Sequence, residues 1–71
     1  MTVYVLMSQA NEYDQPEKAF EGLFWQLPSF DDLNRIIGNM DKEDLNLLQN
    51  GLHIRQKKHQ YCEYWLESFT Q

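Results

Sequence analysis

The chain has 71 residues and a formal net charge of −5, with eleven acidic side chains against six Lys and Arg. This length predicts one domain spanning residues 1–71. Apolar residues at 42% and aromatic residues at 14% exclude a disordered tail. The acidic balance argues against direct nucleic-acid binding, since phosphate contacts need cations. It favours a partner with a basic protein surface, or serves only to keep the domain soluble.

The first third of the chain predicts a β-hairpin. Val3 to Gln9 begins with β-branched and aromatic residues that are apolar on both faces, which indicates a central strand. Lys18 to Gln26 is rich in aromatic residues and predicts a second strand, in which Gly22 marks a bulge or a close approach of another group. The connection is short, so antiparallel pairing is expected.

From Pro28-Ser29 onwards, the spacing of apolar residues changes from the period of two of a strand to that of a helix. Ser29 is a good N-cap, and Asp32 three residues later completes a capping box. Apolar residues follow at spacings of three and four, and Gly38 is placed to end the helix. Asp41 begins a second short helix that Gly51 ends.

The last third returns to strand periodicity. Gln60 to Phe69 predicts the clearest strand, whereas Leu52 to Gln56 is interpreted as an extended lead-in, with a short paired strand as the alternative. The fold class is therefore α+β, a small antiparallel sheet in the order β-β-α-α-β with two short helices packed on one face. The strands carry large apolar groups on both faces, so a partner or a second copy is expected to cover the other face.

No catalytic, metal or cofactor site is expected. His53, His59 and Cys62 are too few and wrongly spaced for zinc, and strand alternation places His59 and Cys62 on opposite faces. The same alternation separates the pair needed for a cysteine nucleophile and its base, so Cys62 is assigned to the core. A lone cysteine, with neither a targeting segment nor an apolar run of about 20 residues, predicts a cytoplasmic protein.

The segment from Asn11 to Glu17 predicts an acidic loop between the first two strands. It lacks the glycine and the bidentate glutamate of a calcium loop, so it is either solvated or a surface that contacts basic residues of a partner. Aromatic residues, with Tyr4 among them, are expected to extend this surface across the exposed sheet face. The predicted partner-binding residues are Glu12, Tyr13, Asp14, Glu17, Glu21, Trp25, Tyr61 and Trp65.

Half of the cations, Arg55, Lys57 and Lys58, lie within four residues and precede Tyr61 and Tyr64. Basic residues beside aromatic ones can bind nucleic acid, which keeps a small DNA-associated regulatory protein as an alternative to a solvated turn. A structural or regulatory homodimer is a further alternative, because segregated charge favours self-association.

Three segments of the chain resemble small acidic proteins of phages and prophages. They are Tyr4-x-Leu6, the loop Asn11-x-Tyr13-Asp14-Gln15, and Pro28-Ser29-Phe30-x-x-Leu33, together with the single residue Phe20. The resemblance covers about the first half of the chain. It implies a host-defence inhibitor, such as an anti-CRISPR protein, that blocks a CRISPR or other defence effector in the host cytoplasm. The chain is less acidic than the strongest DNA mimics.

Overall fold

The computed structural model describes residues 1–10, 17–56 and 62–71, and only the backbone of Glu17. The described chain forms four strands and two helices. In chain order they are β1 (Thr2–Ala10), β2 (Glu17–Phe24), α1 (Phe30–Ile37), α2 (Lys42–Gln49), β3 (Ile54–Arg55) and β4 (Cys62–Thr70). The α+β class predicted from the sequence is confirmed.

The strands form one antiparallel sheet in the order β2-β1-β4-β3, with β1 between β2 and β4. The interpretation of Leu52 to Gln56 as an unpaired lead-in is wrong for two of its residues. Ile54 pairs with Tyr64, and Arg55 pairs with Glu63. So short a strand is held by its partner, which explains why its own composition did not indicate it.

The predicted hairpin between β1 and β2 is confirmed, and so is the bulge at Gly22. Leu6 lies opposite Gly22 and Met7 lies opposite Phe20, so Glu21 is the extra residue on β2. A Cβ on Gly22 would stand 3.3 Å from Ile36 Cδ1. The glycine therefore serves both predicted purposes, a bulge in the strand and the close approach of helix α1.

Both helices begin with a capping box, which confirms the box predicted at Ser29 and Asp32 and the N-cap predicted at Asp41. The Asp32 amide donates to Ser29 Oγ at 3.2 Å, and the Asp44 amide donates to an Asp41 carboxylate oxygen at 2.9 Å. Gly38 follows α1 with φ of 81°, a conformation that only glycine adopts without strain. These local signals explain why the helix boundaries could be read from the sequence.

The core lies between the helices and one face of the sheet. Leu6 of β1 and Leu66 of β4 pack in one cluster with Leu33, Ile37 and Leu48 of the helices. We call this side the helix-covered face. The alternate side chains of β1, β2 and β4 point to the opposite side, which we call the open face, and no described helix or strand packs on it. Neither described helix is long and apolar enough to cross a membrane.

Leu33 and Ile36 give a matched test of this core, since both belong to α1. Leu33 is fully buried and Ile36 is 37% exposed. We expect Leu33→Ala to lower the free energy of unfolding by about 2–5 kcal/mol, because it removes packed methyl groups and leaves a cavity. Ile36→Ala should cost clearly less. Urea denaturation followed by circular dichroism measures both, and equal losses would contradict this position of the core.

Candidate functional site

The open face carries large apolar side chains in contact with solvent. Phe20 is 61% exposed, Leu23 46%, Trp25 67% and Phe69 56%. Transfer of each of these side chains from water into an apolar environment would be favourable. Large exposed apolar surfaces on proteins are typical of contact sites for other molecules, so this face is a candidate site.

The sheet register arranges the open face in rows across the strands. Val3 lies opposite Phe69, Val5 lies opposite both Leu23 and Glu67, and Met7 lies opposite both Phe20 and Trp65. These three rows are apolar on β1 and β2, and Glu67 on β4 is the one charged side chain within them. The next row along the strands is polar, with Gln9 opposite both Lys18 and Glu63.

One end of the open face is concave. A cleft of about 340 Å³ lies where β1 begins and β4 ends, and we call it the aromatic cleft. Its lining residues are Met1, Val3, Trp25, Phe69 and Gln71. Two backbone hydrogen bonds hold its end together, from the Met1 ammonium to the Gln71 oxygen at 3.2 Å and from the Gln71 amide to the Met1 oxygen at 3.0 Å. Within the cleft, Val3 lies between the exposed rings of Trp25 and Phe69. The cleft is large enough to accept a side chain of another molecule.

Trp65 lies on the open face and is only 7% exposed. The His53 ring stacks on it with centroids 4.6 Å apart and an interplanar angle of 10°. The Trp65 indole donates to Glu67 Oε1 at 3.2 Å. Glu63 lies 3.5 Å from His53 Nδ1 and 3.6 Å from the Arg55 guanidinium. The Trp65 ring is thus covered by other residues of the same chain. It therefore offers little area for the partner contact that was predicted for it from the sequence.

Tyr4 does not share the open face with the two tryptophans, which corrects the grouping made from the sequence. It lies opposite Phe24 and Ser68, and Phe24 packs against the core. Tyr4 instead lines a cavity on the helix-covered side with Leu48 and Leu66. The alternation of β1 places it there, since Leu6 two residues on is fully buried against the helices.

Glu21, the extra residue of the bulge, is the one predicted acidic contact whose side chain the structure describes. It is exposed, and Ser8 Oγ donates to its Oε1 at 2.8 Å. Burial raises the pKa of the nearby Tyr64 hydroxyl, and the charges of Glu21 and Cys62 raise it further. Glu21 therefore lies at the edge of the helix-covered face, where it is anchored to the sheet.

The described charges divide unequally between the two sides of the sheet. The open face carries two basic and two acidic side chains, Lys18, Arg55, Glu63 and Glu67. The helix side carries two basic and six acidic ones, Arg35 and Lys42 against Glu21, Asp31, Asp32, Asp41, Glu43 and Asp44. The acidic excess thus lies on the helix side, and the apolar open face is close to neutral.

Four of the predicted contact residues, Glu12, Tyr13, Asp14 and Tyr61, lie outside the described residues, and Glu17 is described only as the first backbone position of β2. Trp25 stands exposed as predicted. Among the residues that the structure does describe, no group of three His, Cys, Asp or Glu is placed to hold a metal ion. Cys62 packs against the core, in agreement with its assignment.

Comparison with known proteins identifies no family for this chain. No family model, no curated protein and no solved structure matches the chain. The resemblance to phage proteins therefore stays a prediction from the sequence segments.

The cover of His53 over Trp65 can be tested by fluorescence. In a Trp25→Phe background Trp65 is the single tryptophan of the chain. We expect His53→Ala to increase quenching of Trp65 by acrylamide, because it removes a stacked ring from an aromatic pair worth about 0.5–1.5 kcal/mol. Leu52→Ala, at a neighbouring exposed position, is the control and should leave quenching unchanged. Equal quenching in all three proteins would contradict the stack.

Tyr64 gives a prediction about pH. Its pKa in the folded protein lies above the ordinary value of about 10. As the pH rises above 10, the unfolded chain therefore ionises first, and the free energy of unfolding should fall. Below pH 10 both states are neutral at this position and the effect is absent. Tyr64→Phe should remove this part of the alkaline loss, whereas Tyr4→Phe should retain it, as measured by urea denaturation at neutral and alkaline pH.

Proposed function

We propose that this protein is a non-enzymatic protein-binding module, which docks its acidic surface on a basic surface of a nucleic-acid-handling host protein. In that role it would act as the phage-type, anti-CRISPR-like inhibitors that it resembles, in the host cytoplasm. The observation that carries the proposal is the separation of the surface into an acidic helix side and an apolar, nearly neutral open face. An exposed apolar surface and a surface with an excess of one charge are each typical of sites where a protein contacts another protein.

The acidic side suits a partner that binds nucleic acid. Proteins that hold phosphate backbones carry Lys and Arg in grooves or patches. A domain that presents six described carboxylates against two cations would be drawn to such a patch and would compete there with nucleic acid. The side chains of Asp31 and Glu43 are exposed at the first turns of the two helices. The acidic residues of the segment from Asn11 to Glu17 would add to this negative charge.

The alternative of a DNA-associated regulatory protein has less support. Of the three clustered cations, Arg55 is the one described, and its guanidinium lies 3.6 Å from Glu63 Oε1. That carboxylate also lies near His53. Part of the basic patch is thus neutralised by the chain itself, which weakens the attraction to phosphate.

The proposal predicts that partner binding depends on the acidic side chains. Capture from host lysate with the full chain, followed by cross-linking mass spectrometry, identifies the partner, and titration calorimetry with the purified partner gives its affinity. We expect Asp31→Asn with Glu43→Gln to weaken that affinity about tenfold, equivalent to about 1.4 kcal/mol. The dependence of affinity on salt should also become shallower, because fewer charges are paired in the complex.

A second variant and a control separate the acidic regions. Glu12→Gln with Asp14→Asn and Glu17→Gln tests the loop, and Glu67→Gln on the open face is the control, which should bind normally. Asp32 and Asp44 are left intact because they cap the helices. If neither acidic variant binds more weakly than Glu67→Gln, or if the captured partner carries no basic surface, the acidic docking proposal is wrong.

A further inference from the structure

We propose that the open face is the interface of a symmetric homodimer, in which two copies of the chain pack sheet against sheet. Phe20 of each copy would enter the aromatic cleft of the other. This inference is separate from the acidic docking above, since it uses the opposite side of the sheet.

The exposed apolar area is of the size that a dimer requires. Phe20, Trp25 and Phe69 are each more than half exposed. Together they present roughly 300–450 Å², taking about 150–250 Å² for a whole aromatic side chain. Leu23 and Met1 add to this, as do the partly exposed side chains of β1. The total approaches the ~800 Å² per partner of a standard stable interface.

Charge favours a second copy over a basic partner at this face. The open face has two cations and two carboxylates among its described residues, and Glu63 is already close to Arg55 and His53. A basic partner would gain little there. Two copies that meet through these faces keep their acidic helices on the outside of both sheets. Packed sheets lie ~10 Å apart, so the acidic layers beyond them are separated by more than the ~8 Å over which salt screens charges.

The shape of the face is self-complementary. Phe20 projects from the row of Met7, and the aromatic cleft is centred on the row of Val3. These rows lie four residues apart on β1, or about 13 Å. The row of Val5 and Leu23 lies midway between them. A two-fold axis through that middle row exchanges the two ends, and it therefore places each Phe20 ring over the opposite cleft. The axis runs across the strands along this row, so the two Glu67 side chains lie opposite each other at its β4 end. The two-residue β3 does not extend to that position, so both carboxylates are at the rim with access to water.

The inference is tested by a matched pair of substitutions in the full chain. Leu23 lies in the middle row at 46% exposure, and Leu52 lies after α2 at 52%. Sedimentation velocity across a concentration series should show a monomer–dimer equilibrium for the unchanged protein. Leu23→Arg should raise the dissociation constant at least tenfold, because it buries an unpaired charge at the axis. Leu52→Arg should leave it unchanged, and circular dichroism checks that both variants are folded.

Directed cross-linking tests the orientation. In a Cys62→Ala background, a mixture of chains carrying Phe20→Cys and chains carrying Trp25→Cys, which directly follows β2 in the cleft, should form mixed disulfides on oxidation. A mixture of Phe20→Cys with Arg35→Cys, on the helix side, should not. A monomer at every concentration, or a dimer that Leu52→Arg weakens as much as Leu23→Arg does, overturns the proposal. So does equal cross-linking to both positions.

The two proposals fail separately. Asp31→Asn with Glu43→Gln should leave the dimer intact, and Leu23→Arg should leave the affinity of an isolated copy for a captured partner intact. If the chain is monomeric and Leu23→Arg abolishes partner capture, the open face serves that partner instead of a second copy, which refutes the homodimer and retains a protein-binding role.

Discussion

The two helices are long enough to cover only one face of the sheet. The exposure of apolar side chains on the other face depends on this limit. Each helix has eight residues, or about 12 Å, whereas β1 and β4 have nine residues, or about 30 Å. Both helices are used on the side of Leu6 and Leu66. The described chain has no further element for the opposite side. Apolar groups there either find cover locally, as Trp65 does beneath His53, or stay exposed, as Trp25 does.

Local signals in the sequence were sufficient for most of the fold. Ser29 and Asp41 fix where the helices begin, because their side chains accept from specific backbone amides in the first turn. Gly22 indicates the bulge and the close approach of α1, because a Cβ there would be in tight contact with Ile36. The two residues of β3 could not be predicted in the same way. They are a strand only through pairing with β4, and the propensity of so short a run decides little.

The candidate site depends on relations between strands, which the sequence does not fix. Alternation along β4 correctly separates Trp65 from Tyr64, but it cannot tell whether Tyr4 on β1 shares a side with Trp65. That depends on the register, in which Tyr4 faces Ser68 and a shift of one residue would exchange the faces. The stacking of His53 on Trp65 could likewise not be predicted from the sequence. A signal was present, since His53 and Arg55 alternate around Ile54 as Glu63 and Trp65 do around Tyr64, but only the pairing of β3 with β4 makes it visible.

The separation of charge from apolar area allows the two proposed contacts to coexist. A dimer formed through the open faces would direct both helix layers outward, so each copy would keep its carboxylates accessible to a basic partner. Partner binding would then become bivalent, and the second contact would form at the high effective concentration set by the rigid dimer. Burial of Phe20 and Trp25 would also stabilise the fold by mass action, which matters for a chain of 71 residues with a core on one side only. Self-association would thus supply the second apolar layer that the two short helices cannot provide.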